Sequence, residues 1–199
     1  MPKLLIATNN PGKIAEFQEI FAGLSLSLTS LAEQSIDLDP EETGLTFEEN
    51  ARLKARTFAA AGHLLTLADD SGLEIDALNG EPGIYSARYG QTAKADNVAR
   101  NQIVLEKMKD VPWAERTARF RCVVALAYQQ EVIGTAEGTV EGFIGYEPKG
   151  SGGFGYDPLF YYPEFGCTLA EISAKKKHSI SHRGRAARAA IPLIEEFYR

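Results

Sequence analysis

Two adjacent aspartates, Asp69 and Asp70, follow an apolar stretch in LADDSGLEIDAL (residues 67–78) and run into Ser71-Gly72. Residues 64–68 read as a buried strand, which places two negative charges at its end. An unpaired buried carboxylate costs roughly several kcal/mol, so a partner is required. Magnesium is the economical one, because it takes oxygen ligands from one or two carboxylates and completes its shell with water and phosphate. A second acidic pair, Glu41-Glu42 before Thr43-Gly44, can supply the other carboxylate. One carboxylate would then accept a proton from an activated water. The competing reading has Asp69 or Asp70 merely capping a turn through its own backbone.

Three other strings carry chemistry. TNNPGK (Thr8, Asn9, Asn10, Pro11, Gly12, Lys13) stands between a first strand and a first helix, where backbone N–H groups and the helix dipole favour an anion. It follows the logic of a phosphate loop without being GxxxxGK[ST], and a plain strand-to-helix turn with a first-turn proline competes with it. GSGGFGYDP (150–158) has four glycines that let backbone approach a ligand, the aromatics Phe154 and Tyr156 that can stack on a planar base, and Asp157 as an acceptor. A glycine-rich turn with core aromatics is its commoner meaning. KKKHSISHRGR (175–185) gathers donors, either as a solvated basic face or around a phosphate or base edge. His178 and His182 lie four apart, but no HExxH motif accompanies them as a zinc site would require.

The elements that must position these strings are legible in outline. Residues 3–8 read as a short buried strand, and Ile14, Phe17, Ile20 and Phe21 recur at helical spacing. A second helix is predicted over 46–61, with Thr46 and Glu49 at the spacing of a capping box and Lys54 near its apolar edge. A third is predicted over about 93–108, then a hairpin of 116–128 and 131–140 around Gln129-Gln130. The last helix should begin near Ser181, turn Ala187, Ala190, Ile191, Ile194 and Phe197 inward, and kink at Pro192. Helices interleaved with strands plus an antiparallel hairpin imply a mixed sheet.

With 199 residues, 44% hydrophobic and 24% charged, the chain suits one folding unit, residues 1–199. The short apolar run at residues 4–7 is far below a signal peptide or membrane span, so a soluble, unexported protein of the cytoplasm with no membrane partner is expected. Cys122 and Cys167 form no CxxC pair, and Cys122 reads as a small core residue. A net charge of −6 argues against a nonspecific nucleic-acid binder. Locally the charges separate: Asp37, Asp39, Glu41, Glu42, Glu48 and Glu49 on one side, Lys175, Lys176, Lys177, Arg183, Arg185 and Arg188 on the other. That separation suits a metal and a polyanion held together, although two solvated faces would look the same.

With TNNPGK, EETGLTFEENARLKA, LADDSGLEIDAL, PGIYSARY, GSGGFGYDP and SHRGRA in this order over nearly its full length, the chain resembles the inosine/xanthosine triphosphate pyrophosphatase family. The resemblance implies an α/β (mixed α+β) two-lobed fold, with a long central mixed sheet flanked by helices and a cleft between the lobes, assembled as a homodimer. It implies magnesium-dependent hydrolysis of non-standard purine nucleoside triphosphates (ITP, dITP, XTP) to monophosphate and pyrophosphate. By position, Thr8 to Lys13 would hold the triphosphate and Lys54 would help neutralise it. Glu42 and Asp70 would hold magnesium, with Asp70 as proton acceptor, while Asp69 is not separated from Asp70 on this basis. Ser71, Phe154, Gly155, Tyr156, Asp157, Lys177, His182 and Arg183 would complete the substrate site.

Donors from Lys177 and the His182-Arg183 segment would pair with the C6 oxygen of hypoxanthine or xanthine and clash with the adenine amine, a mismatch of roughly 1–3 kcal/mol. Two other readings compete: a pyrophosphatase for modified pyrimidine nucleotides, and a nucleotide-binding sensor without catalysis.

Overall fold

The computed structural model describes residues 1–93 and 96–199. In chain order the elements are β1 (Lys3–Ile6), α1 (Pro11–Phe21), β2 (Ser27–Ser30), α2 (Phe47–Gly62), β3 (Leu65–Ile75), α3 (Asn97–Lys107), β4 (Thr117–Tyr128), β5 (Glu131–Ile144), β6 (Phe160–Tyr162), β7 (Cys167–Thr168), α4 (Ala174–Ile180) and α5 (His182–Phe197). The strands form one sheet in the order β2-β1-β3-β4-β5-β6-β7. β1 runs parallel to β2 and β3, whereas the β5–β6 and β6–β7 pairs are antiparallel, so the sheet is mixed as expected. Among the described residues no helix is long and apolar enough to cross a membrane.

Local chemistry explains where the helices start. Asn10 caps α1 by accepting from the Gly12 and Lys13 amides, and Pro11 sits where no amide partner is needed. Thr46 caps α2 by accepting from the Glu49 amide. The reciprocal half of the predicted capping box differs, because Glu49 accepts from the Leu45 amide at 2.7 Å, one residue before the cap. Asp96 caps α3 by accepting from the Ala99 amide, which sets its start at Asn97 rather than 93; residues 94 and 95 of that expectation lie outside the described residues.

The main correction concerns β3. The expected strand ended at Asp69, but the observed one continues through Asp69 and Asp70 to Ile75 and is buried along almost all of its 11 residues. Aspartate is a poor strand former, which is why the pair read as a terminator; tertiary partners override that preference. Three further strands, β2, β6 and β7, are too short for a periodicity signal. The last helix starts beside Ser181 as expected, and extended backbone at that residue separates it from the short α4. His178 and His182 therefore stand on different helices. α5 is one helix through Pro192 and buries Ala186, Ala187, Ala190 and Ile194. The β4–β5 hairpin forms around Gln129-Gln130, with Gln129 taking the positive φ of 55° that Asn or Gly would ordinarily supply.

The chain forms two compact units. The first comprises Met1–Asp70, Cys122–Gly138 and His182–Arg199, the second Ser71–Arg121 and Thr139–Ser181. Each has its own core. Leu4, Ile6, Phe17, Phe21, Leu65 and Leu67 pack with Cys122, Val124 and α5 alanines in the first. Leu73, Val104, Met108, Phe120, Ile144 and Phe160 anchor the second. Cys122 is a free, fully buried core thiol, and Cys167 is free and half-buried.

The second unit is locked by Arg116, only 1% exposed. Its guanidinium donates to the carbonyls of Ile144 (2.7 Å), Met108 (2.6 Å), Val111 (3.1 Å) and Gly145 (2.8 Å), and lies 4.3 Å over the Tyr146 ring. Replacing it removes the guanidinium donor from all four carbonyls. Arg116→Met is expected to lose roughly 2–4 kcal/mol of stability, read as a lower urea midpoint at unchanged slope.

Candidate active site

A strand turns successive side chains to opposite faces, so an uninterrupted β3 must send Asp69 and Asp70 apart. The contacts agree. Asp69 Oδ2 accepts from Lys13 Nζ at 2.9 Å and from Arg183 Nη2 and Nε at 3.2 and 3.3 Å, and lies 3.8 Å from Cys122 Sγ. Arg183, 2% exposed, reaches with its other nitrogen to Glu16 on α1. Burial opposes ionisation of Asp69, yet Lys13, Arg183 and Lys54 outweigh it and hold the carboxyl well below the usual carboxylate range. Burial likewise opposes the charge on Arg183, and Asp69 and Glu16 more than offset it. This set is a permanently charged brace between α1, β3 and α5.

Asp70 meets different partners. Its Oδ1 accepts from Lys54 Nζ at 2.8 Å, and its Oδ2 from the Asn50 amide at 3.3 Å, both from α2. Lys54 Nζ also lies 2.7 Å from Glu42 Oε1, so the two carboxylates converge on one point of positive charge. Burial raises the pKa of Asp70 and the Glu42 charge adds to the effect, outweighing the pull of Lys54. Burial also favours loss of the Lys54 proton, but Asp70, Asp69 and Glu42 together raise its pKa. Two neighbouring carboxyls are thus driven in opposite directions, Asp69 below the usual carboxylate range and Asp70 above its ordinary value.

Residues 8–13 form the turn into α1. Asn10 Oδ1 accepts from the Gly12 amide at 2.9 Å and the Lys13 amide at 3.3 Å, while the Asn10 amide donates to Thr8 Oγ1 at 3.2 Å. The first helix amides are therefore already capped by Asn10. Asn9, Asn10 and Pro11 are exposed, and Thr8, Gly12 and Lys13 half-buried.

The second unit holds the glycine-rich string. Asp157 is buried, and its Oδ2 accepts from Lys177 Nζ at 2.6 Å and from the Phe154 amide at 2.8 Å. The Lys177 ammonium stands 4.7 Å from the Phe154 ring centroid. Gly153, at φ 68°, is required here because a Cβ would strike the Asp157 carboxylate. Tyr156 belongs to the core of this unit, with its hydroxyl donating to the Ser86 carbonyl at 2.8 Å, so of the two aromatics Phe154 is the half-buried one. The Gly155 carbonyl accepts from Asn101 at 3.3 Å. Ser71 follows Asp70 along β3 and is half-buried, and buried His182 opens α5 beside Arg183.

Residues 4–193 match the family model described as the Ham1 family. The chain belongs to the Ham1 family. The dITP/XTP pyrophosphatase of Desulforamulus reducens is 48% identical over 196 residues, covering 98% of this chain and 97% of the relative. That of Thermus thermophilus is 50% identical over 194 residues, covering 98% and 92%. Among solved structures, a HAM1 protein from Coxiella burnetii superposes with a TM-score of 0.87 at 41% identity, covering 98% of this chain and 100% of that one. The Staphylococcus aureus Ham1 protein gives 0.81 at 43%, covering 98% and 97%.

In this Ham1-family chain, the structure brings Glu42, Lys54 and Asp70 into one cluster, Lys13 and Arg183 onto Asp69 in another, and Phe154, Asp157 and Lys177 into a third within the second unit. The basic string is not a uniform face: Lys177 and Arg183 are buried and paired, whereas Lys175, Lys176, Arg185 and Arg188 are exposed. Two contributors escaped sequence reasoning. They are Glu16 on α1 and Asn50, 0% exposed, on α2. A polar residue on the same helical face as Phe47, Ala51 and Lys54 was the available signal for Asn50.

Asp69 generates a pH prediction. A group whose folded pKa is depressed contributes stability that is present above its unfolded value, about 3.9, and lost as pH falls towards the folded one. Asp69→Asn is therefore expected to cost roughly 3–5 kcal/mol at pH 7, because Arg183 and Lys13 lose their counter-charge. The gap to wild type should narrow as pH drops from about 4 towards 2, as followed by urea unfolding midpoints.

Proposed function

We propose that the chain hydrolyses non-standard purine nucleoside triphosphates, dITP, ITP and XTP, to the monophosphate and pyrophosphate. The observation that carries this reading is the division of labour along β3, with Asp69 fixed as a charge and Asp70 facing Glu42 and Lys54 with a raised pKa. Full-length similarity to relatives named dITP/XTP pyrophosphatase supports the substrate class.

The Glu42–Asp70 pair fits magnesium. Both groups offer hard oxygen donors, and both already point at one cation, Lys54 Nζ, at 2.7 and 2.8 Å. Among the described residues no group of three or more His, Cys, Asp or Glu gathers as a cage, which suits an ion that keeps waters and substrate phosphates in its shell. When bound there, magnesium would supply charge stabilisation to the phosphates and acidify a water.

The chain's own residues do the rest. Lys54 and Lys13 neutralise the phosphates, with residues 8–12 lining the turn that carries Lys13. Asp70 accepts the proton of the water that attacks the α-phosphorus, and the bond to the bridging oxygen breaks to release pyrophosphate. Its raised pKa makes it a better proton acceptor than an ordinary carboxylate. In the second unit, Phe154 offers a ring for the base and Lys177, held by Asp157, a donor for the C6 oxygen. Buried His182 offers a further donor. Arg183 acts through Asp69, to which it is already committed.

The test is pyrophosphate release from ITP, dITP, XTP, ATP, GTP and dTTP, with magnesium and after chelation. The expected result is turnover of the first three, lost on chelation and reduced by roughly 10²–10⁴-fold in Asp70→Asn. Preference for dTTP or methylated pyrimidines, tight ITP binding without turnover, or full activity in Asp70→Asn would each contradict the proposal.

A further inference from the structure

Asn50 occupies a position that neither packing nor helix propensity asks for. It lies in the first turn of α2, fully buried, and its side-chain amide uses both ends. The Nδ2 donates to Asp70 Oδ2 at 3.3 Å, and Oδ1 accepts from the Gly44 amide at 2.8 Å. Gly44 lies two residues after Glu42, so one side chain ties the loop that carries Glu42 to the strand that carries Asp70. With Asn50 on Oδ2, Asp70 presents Oδ1 to Lys54, which also donates to Glu42.

The loop end of this tie is built tightly. A Cβ at Gly44 would stand 2.7 Å from Asn50 Oδ1 and 2.7 Å from Glu49 Cβ, closer than real Cβ atoms approach. Glycine is thus needed there for the close approach of the loop backbone to Asn50. An aspartate at position 50 could accept from Gly44 but could not donate to Asp70, and a leucine could do neither.

We propose that Asn50 is the positioning residue of the Glu42–Asp70 pair: it fixes the separation of the two carboxylates and the orientation of Asp70, and so sets the affinity of the site for a divalent cation. The proposal rests on the reading of Glu42 and Asp70 as the metal pair. Hydrogen-bonding partners behind metal ligands are commonly worth about 10–100-fold in affinity or activity.

The experiment measures Mn²⁺ binding to the full chain by electron paramagnetic resonance without nucleotide, alongside kcat and KM at saturating metal. The variants are Asn50→Leu, Asn50→Asp, Gly44→Ala and, as control, Glu42→Gln, each checked for folding by thermal unfolding. Asn50→Leu is expected to weaken Mn²⁺ binding about 10–100-fold and lower kcat, with the KM for nucleotide moving far less. Gly44→Ala, which removes no functional group but displaces the Asn50 side chain, should weaken Mn²⁺ binding in the same direction, and this arm stands if the Asn50 variants do not fold. Asn50→Asp should keep the loop contact and still lower kcat, since the donor to Asp70 is gone. Unchanged Mn²⁺ affinity in folded Asn50→Leu and Gly44→Ala, with Glu42→Gln defective, would overturn this proposal alone. Unchanged affinity in Glu42→Gln would overturn the metal reading and this proposal with it.

Discussion

Two carboxylates side by side in a buried strand pose a problem with few solutions. The pleat sends them to opposite faces, so each face brings its own contacting cation out of a helix packed there. On the Asp69 face the answer is Lys13 from α1 and Arg183 from α5, with Glu16 balancing the second cation. On the Asp70 face it is Lys54 from α2, shared with Glu42 and flanked by the neutral donor Asn50. Burial pushes both carboxyls up, and the neighbouring charges decide the opposite outcomes. Asp69 sees two full cations at contact and stays ionised, whereas Asp70 divides one cation with a second carboxylate. A single structural device therefore produces both a rigid brace and a carboxyl of raised pKa one residue apart.

The second unit uses the same physics with different balance. Asp157 is buried against Lys177, and the ion pair fixes the ammonium beside Phe154. Arg116 has no carboxylate at contact distance among the interactions described, and backbone carbonyls satisfy it instead, so it consolidates structure. In each of these sets the buried charge is matched, by an opposite charge or by backbone carbonyls.

Much of this was legible in the sequence where signals were local. The cap at Thr46, the helical spacing of α1 and α5, and the chemistry-bearing strings needed no tertiary information. The continuation of β3 through Asp69-Asp70 was hidden because strand propensity argues against it and only partners far along the chain, Lys13 and Arg183 among them, make it favourable. Likewise nothing local distinguishes Lys177 and Arg183, which are buried, from Lys175 and Arg185, which are not. The separation of the two aspartates, which residue types alone left open, needed only the knowledge that both lie within a strand.

The central claim is that adjacent carboxyls on β3 are driven apart in acidity by their separate faces. Carbon-13 NMR of selectively labelled aspartate carboxyls in the metal-free protein, assigned by substitution, measures this directly. The account predicts that the Asp70 resonance titrates above the ordinary carboxylate range while Asp69 remains ionised to the lowest pH at which the fold survives. Titration of both near the ordinary value, or in the reverse order, would contradict it.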